Sequence, residues 1–160
     1  MTSHAEALAE WLVQQHQDRA PLRAVPGDFA PESRAQAVEA QQAFVDIKAQ
    51  YCGEAIGWKI ALATPVMQAM VGLDAPIAGR LHSKQVIDSP AKTESASYGR
   101  LLVEFEIAVR IASDLKPPRG RGTSRHDRYS VLDAVDAVAP AMELADDRDR
   151  KSTRLNSSHR

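Results

Sequence analysis

Glu104 and Glu106 stand one residue apart, and of all the residues in this chain their type and spacing most readily do chemistry. Carboxylates are hard oxygen ligands, and Mg²⁺ and similar divalent cations take oxygen ligands. Whether the pair can converge on one ion depends on the backbone. A helix would turn the two side chains about 200° apart, on opposite sides. A strand puts both on one face, roughly 6.6 Å apart at the backbone. The surrounding stretch, GRLLVEFEIAVRIASDL at 99–115, reads as a strand. Leu101, Val103, Phe105, Ile107, Val109 and Ile111 point one way. Leu102, Glu104, Glu106, Ala108, Arg110 and Ala112 point the other. Period two, β-branched and aromatic residues, and a stop at Pro117-Pro118 agree on this. The pair alone is a weak sign of a metal, because acidic residues are common on the wet face of a half-buried strand.

Two other features could carry chemistry. Lys59 interrupts the apolar segment AIGWKIAL at 55–62, which reads as a strand. A lysine so placed ordinarily snorkels its head out of the core edge, but a buried one is readily tuned as an acid or base. The segment KPPRGRGTSRHDRY at 116–129 is a polar loop with four arginines. It could touch phosphates, though domains that read nucleic acid show a wider basic face.

The elements that must position these residues come next. Ser3 and Glu6 have capping-box spacing and lead into an amphipathic helix carrying Leu8, Trp11, Leu12 and Gln15, ending near Arg19. Residues 21–31, with three prolines and Gly27, read as a loop. A second helix is expected over 32–51, offering Val38, Phe44, Val45, Ile47 and Tyr51 to a core, with Gly53 at its C-terminal turn. Thr64-Pro65 starts a short helix with Val66, Met67 and Met70 on its buried side, stopped by Gly72. Residues 73–98 are loop-rich, with a possible strand around 79–86. Ser130 and Asp133 cap a third helix over 131–139, with Val131, Leu132, Val135 and Val138 inward, and Pro140 ends it. A further strand follows at 141–145, with Glu143 facing opposite Met142 and Leu144.

Bulk properties bound the function. The 160 residues suffice for one domain of ordinary size. Net charge is −1, so no global basic field points to nucleic acid. A single cysteine, Cys52, excludes an internal disulfide and a cysteine-built zinc site. No apolar run approaches the ~20 residues of a membrane span, and no secretory signal is visible, so a cytoplasmic location is the expectation.

Several segments together resemble the 2-keto-4-pentenoate hydratase family of the fumarylacetoacetate hydrolase-like superfamily. They are APLR at 20–23, GWKIAL at 57–62, TPVMQAMVGLDAP at 64–76, GRL at 79–81, VEFEIAVRIASDL at 103–115 and VAPAMELADDR at 138–148. They keep their order and spacing over about 130 residues, and that order makes them fairly specific. The resemblance implies an α+β fold, with N-terminal helices packed on a mixed, curved β-sheet, the β-roll of the superfamily. It implies a Mg²⁺ or Mn²⁺ ion held by Glu104, Glu106 and Glu143. Lys59 would lie in the active site, and Asp74 resembles a family aspartate near the pocket, although it also suits a turn. Three glutamates and a divalent ion leave a charge of −1, so a nearby lysine would help an anionic substrate to bind. His82 has no role derivable from the sequence.

The implied reaction is addition of water to a 2-hydroxy-2,4-dienoate, giving a 4-hydroxy-2-oxo acid, in aromatic meta-cleavage catabolism. The metal would chelate the substrate's carboxylate and 2-oxygen and stabilise the developing enolate. Decarboxylation of a 2-oxo-3-enedioate, or hydrolytic cleavage of a carbon–carbon bond, would use the same metal logic. The expected partner is a small oxo or dienoic acid, with no nucleic acid and no membrane, and a homo-oligomer at full length. A non-catalytic fragment that binds through the Arg119–Arg128 loop is the rival reading from another class.

The end of the chain reads differently. DRKSTRLNSSH at 149–159 lacks apolar periodicity and spells a translated sequencing-library adapter, so residues 149–160 are set aside from the fold. On that reading residues 1–148 are the N-terminal part of one longer catalytic domain, and the chain as written is poorly active.

Overall fold

The computed structural model describes residues 3–115 and 126–148. The polar segment 116–125, with Arg119, Arg121 and Arg125, and the tail 149–160 lie outside the described residues. The chain divides into two compact units, one of residues up to Glu94 together with Arg148, the other Ser95–Asp147. The class is α+β, and every described strand pairing is antiparallel.

The first unit begins with helix α1, His4–Gln17. Its capping box is formed as expected: the Ser3 hydroxyl accepts from the Glu6 amide, and the Glu6 carboxylate accepts from the Ser3 amide at 2.6 Å. The second hydrogen bond holds the Glu6 carboxyl below its ordinary range. Helix α2, Arg34–Cys52, starts at the Ser33 cap and ends at Gly53, whose φ of 80° is open to glycine and strained for other residues. Leu8, Ala9 and Val13 of α1 and Ala40 and Val45 of α2 are the buried apolar residues of the unit. Val38 and Tyr51, expected in the core, are exposed instead, because the α1 contact takes only the narrow face around Ala40 and Val45.

Strands β1, Ala55–Ala61, and β2, Ile77–His82, form an antiparallel ribbon. The second strand starts and ends earlier than expected, since 83–85 turn into a short 3₁₀ segment. Between the strands, α3 spans Pro65–Met70, with the Thr64 hydroxyl accepting from the Met67 amide. Its buried face differs from expectation. Val66, Met67 and Met70 are exposed, and Gln68 is buried. A six-residue helix turns one side chain inward, and here the Gln68 amide donates to the Leu62 carbonyl at 2.8 Å. His82 is the largest fully buried side chain, with Nδ1 2.8 Å from the Gly53 carbonyl, tying the end of β2 to the end of α2.

The second unit is a long antiparallel ribbon of β3, Leu101–Ile111, and β4, Val135–Asp146. The expected helix over 131–139 is not formed. A short helix, α4, spans Arg128–Leu132 instead, capped by Asp127 rather than Ser130. The Asp127 carboxylate accepts from the Tyr129 and Ser130 amides at 3.0 and 2.8 Å. Those bonds, Ser130's foremost, lower its proton affinity. From Val135 the chain alternates apolar and small residues, and eleven residues of β3 pair with it. Pro140 lies within this strand opposite Ile107 and terminates nothing. Among the described residues β4 has β3 as its single neighbour, and a proline is tolerated where a strand is an edge. At the open end of the ribbon, the Gly99 amide donates to Asp146, and Arg100 forms an ion pair with Asp147.

Candidate metal centre

The β3–β4 register decides what the ribbon can bind. Glu104 stands directly opposite Glu143, and Glu106 opposite Ala141. Period two then places Glu104, Glu106 and Glu143 on one face. Their carboxylates each offer an oxygen, and these oxygens lie within 4.8 Å of one another. Glu104 and Glu106 are exposed and Glu143 is half-buried. Around them the same face carries Leu102, Ala108, Ala137, Ala139, Ala141 and Ala145, so mostly methyl groups flank the cluster.

This donor set fits a hard divalent cation. Like charges directly opposite one another destabilise a strand pair, and Glu104 faces Glu143 with Glu106 adjacent. A divalent ion held by all three oxygens turns that repulsion into attraction. Further along the same face, Arg110 Nε donates to Asp136 Oδ1 at 2.8 Å. That hydrogen bond lowers the proton affinity of Asp136 and raises that of Arg110. Asp136 is thereby engaged away from the glutamates.

The structure brings together the three glutamates expected to bind metal. It places the other two expected site residues in the first unit. Lys59 is on the half-buried face of β1, opposite Gly79. A Cβ at Gly79 would lie 3.4 Å from Lys59 Cγ, so the lysine stem runs across the bare glycine. Asp74 is exposed in the bend between α3 and β2. On the other face of β1, Trp58 stacks under the Arg80 guanidinium at 4.1 Å, a cross-strand pair that no sequence signal announced.

No family model matches the chain. Two curated enzymes do. A 4-oxalocrotonate decarboxylase from Pseudomonas sp is 31% identical over 124 residues, covering 78% of this chain and 45% of that enzyme. The 2-oxo-hept-4-ene-1,7-dioate hydratase of Escherichia coli is 28% identical over 141 residues, covering 88% of this chain and 51% of that enzyme. The chain thus spans about half the length of the curated relatives it matches. Two solved structures of 4-oxalocrotonate decarboxylase from Pseudomonas putida G7 share its fold over 91% of its length. One, complexed with magnesium and adipate, has a TM-score of 0.73 at 24% identity and is covered over 53% of its length. The other, complexed with calcium and acetate, has a TM-score of 0.75 at 23% identity and is covered over 54%. The chain is thus similar to a decarboxylase and a hydratase and shares the fold of the solved decarboxylase, in keeping with the fumarylacetoacetate hydrolase-like family its motifs resemble.

Proposed function

We propose that Glu104, Glu106 and Glu143 hold a Mg²⁺ or Mn²⁺ ion for a hydratase. That enzyme adds water to a 2-hydroxy-2,4-dienoate to give a 4-hydroxy-2-oxo acid, in the catabolism of aromatic compounds. The observation that carries this reading is the convergence of the three carboxylates on one face of the β3–β4 ribbon. When bound, the ion supplies a Lewis acid for the substrate's carboxylate and 2-oxygen. The chain's own residues supply the rest. Glu104, Glu106 and Glu143 would hold the ion, and the alanines beside them on the same face are small enough to admit a flat, conjugated acid. Lys59 is assigned by resemblance to orient the substrate or move a proton, and Asp74 to the pocket.

Decarboxylation of a 2-oxo-3-enedioate is the second reading. It is favoured by the 31% identical relative and by the two solved neighbours, all decarboxylases. Both activities belong to the whole enzyme, of which the relatives are about twice this length.

Titration of Mg²⁺ and Mn²⁺ into the chain, beside a Glu104→Gln/Glu106→Gln variant, tests the metal assignment directly. Binding to the parent and none to the variant is expected. Equal binding by both sinks it. A substrate panel on the whole enzyme separates the reactions: loss of dienol absorbance without CO₂ marks a hydratase, and release of CO₂ marks a decarboxylase.

A further inference from the structure

Leu62 stands just past the end of β1 with a φ of 57°, in the left-handed region that is unfavourable for a residue with a side chain. Among the described residues one other non-glycine shares that conformation, Arg19. Arg19 follows the last turn of α1, where a left-handed residue is ordinary. Leu62 follows a strand, so a helix end does not account for it, and the surrounding structure must hold it there.

Gln68 holds it. Its side-chain amide donates to the Leu62 carbonyl at 2.8 Å. Gln68 is 8% exposed, while Val66, Met67 and Met70 on the same six-residue helix are exposed. Burying an amide in preference to two methionines is unfavourable unless its hydrogen bond offsets the lost hydration. The bond, and not apolar burial, therefore seats α3. The main chain of Gln68 ties the other end of the segment. Its carbonyl accepts from the Val71 and Leu73 amides at 3.1 and 2.9 Å, and the Gly72 amide donates to the Ala69 carbonyl at 3.2 Å. With Gly72 at a φ of 72°, this is the Schellman closure of a helix end. Asp74 follows Leu73 directly, and Lys59 precedes Leu62 on β1.

We infer that Gln68 is a positioning residue, which anchors the segment leading to Asp74 onto the exit of the strand that carries Lys59. Its side chain fixes the turn after the strand, and its carbonyl fixes the approach to Asp74. One residue thus sets both ends of the 62–73 segment. That Lys59 and Asp74 serve the reaction rests on the function proposed above; the anchor itself does not.

Residual dipolar couplings and amide hydrogen exchange of the isotope-labelled 160-residue chain test the anchor without metal or substrate. In the parent, the amides of Lys59, Leu62, Leu73 and Asp74 should fit one alignment frame. In Gln68→Ala the couplings of Leu73 and Asp74 should fall by at least half and the Leu73 amide should exchange at least tenfold faster, while Lys59 keeps the frame of its β2 partners. Leu62→Gly, which takes a positive φ freely, should restore at least half of that loss in the Gln68→Ala background. A glutamine that merely packs would show no such rescue. Gln68→Asn keeps an amide but is one methylene short of the Leu62 carbonyl; it should show the same loss, and it decides the matter if Gln68→Ala does not fold. Unchanged couplings in the variants, or a loss that Leu62→Gly does not relieve, would overturn the inference. In the whole enzyme Gln68→Ala should lower kcat at least tenfold with Mg²⁺ affinity unchanged. A parent enzyme that turned over neither the dienoate nor the enedioate would refute the proposed reaction and not the anchor.

Discussion

Glu143→Gln removes one of three negative charges while keeping the shape of the side chain, and its cost can be worked from the cluster. At the 4.8 Å limit between oxygens, two unit charges repel by about 0.9 kcal/mol in bulk water and about 3.5 kcal/mol at an effective dielectric constant near 20. A divalent ion roughly 3 Å from a carboxylate's charge centre attracts it by about 3 and about 11 kcal/mol at the same two limits. The two repulsions that Glu143 makes are present with and without the ion and cancel from the affinity, so the variant forfeits one attraction. At the watery limit that is about 3 kcal/mol, or about a hundredfold in affinity. Two of the three glutamates are exposed and Glu143 is half-buried, which draws the expectation to about ten- to a hundredfold weaker Mn²⁺ binding. Calorimetric titration of Mn²⁺ measures it, with circular dichroism confirming an unchanged fold and Glu94→Gln, outside the cluster, as the charge control. A loss below threefold, or an equal loss in the Glu94 variant, would refute the reasoning, because the ion would then be seeing the chain's general charge.

Other outcomes follow from the packing. Gly53→Ala should destabilise the chain by about 1–3 kcal/mol in thermal melts, because the new Cβ meets Ser83 Oγ and the backbone is held at φ 80°. Gly72→Ala, at φ 72° with nothing within 4 Å, should cost only the backbone preference, about 1 kcal/mol. His82→Ala should cost about 2–4 kcal/mol by opening a cavity and orphaning the Gly53 carbonyl; an unchanged melting temperature would contradict its role as a tie. Glu6 and Asp127 have lowered folded proton affinities, from the Ser3 and Ser130 amides respectively. Their contribution is therefore complete above the ordinary carboxylate pKa of about 4 and is lost as pH falls through the lowered folded values. Melting temperature should drop below about pH 4, less steeply in Glu6→Gln/Asp127→Asn, and an identical slope in both chains would count against it.

Much of this architecture was legible before the structure was known. The strand at 101–111 declared itself by strict alternation over a long run, a signal that outlasts local ambiguity. Ser3, Glu6, Thr64 and Gly53 announced helix ends because capping and positive φ are local properties. The failure at 131–139 has a physical cause. Val131, Leu132, Val135 and Val138 satisfy a helical period, and Pro140 resembles a stop, but pairing along all of β3 overrides both. Propensity could not weigh that distant partner. Val66, Met67 and Met70 misled because apolar character alone does not say which side of a six-residue helix is covered, and Gln68 took the inward position through one hydrogen bond. Of the candidate site, Glu104 and Glu106 were readable from spacing. Glu143 entered only through resemblance, because its place opposite Glu104 is a matter of register between strands more than thirty residues apart.

Paramagnetic broadening by Mn²⁺ tests the central claim most directly. With substoichiometric Mn²⁺ added to the isotope-labelled chain, resonances of Glu104, Glu106 and Glu143 should vanish first, followed by those of their neighbours Phe105 and Met142. Broadening spread over the exposed acidic residues, or centred anywhere other than the β3–β4 ribbon, would contradict the account.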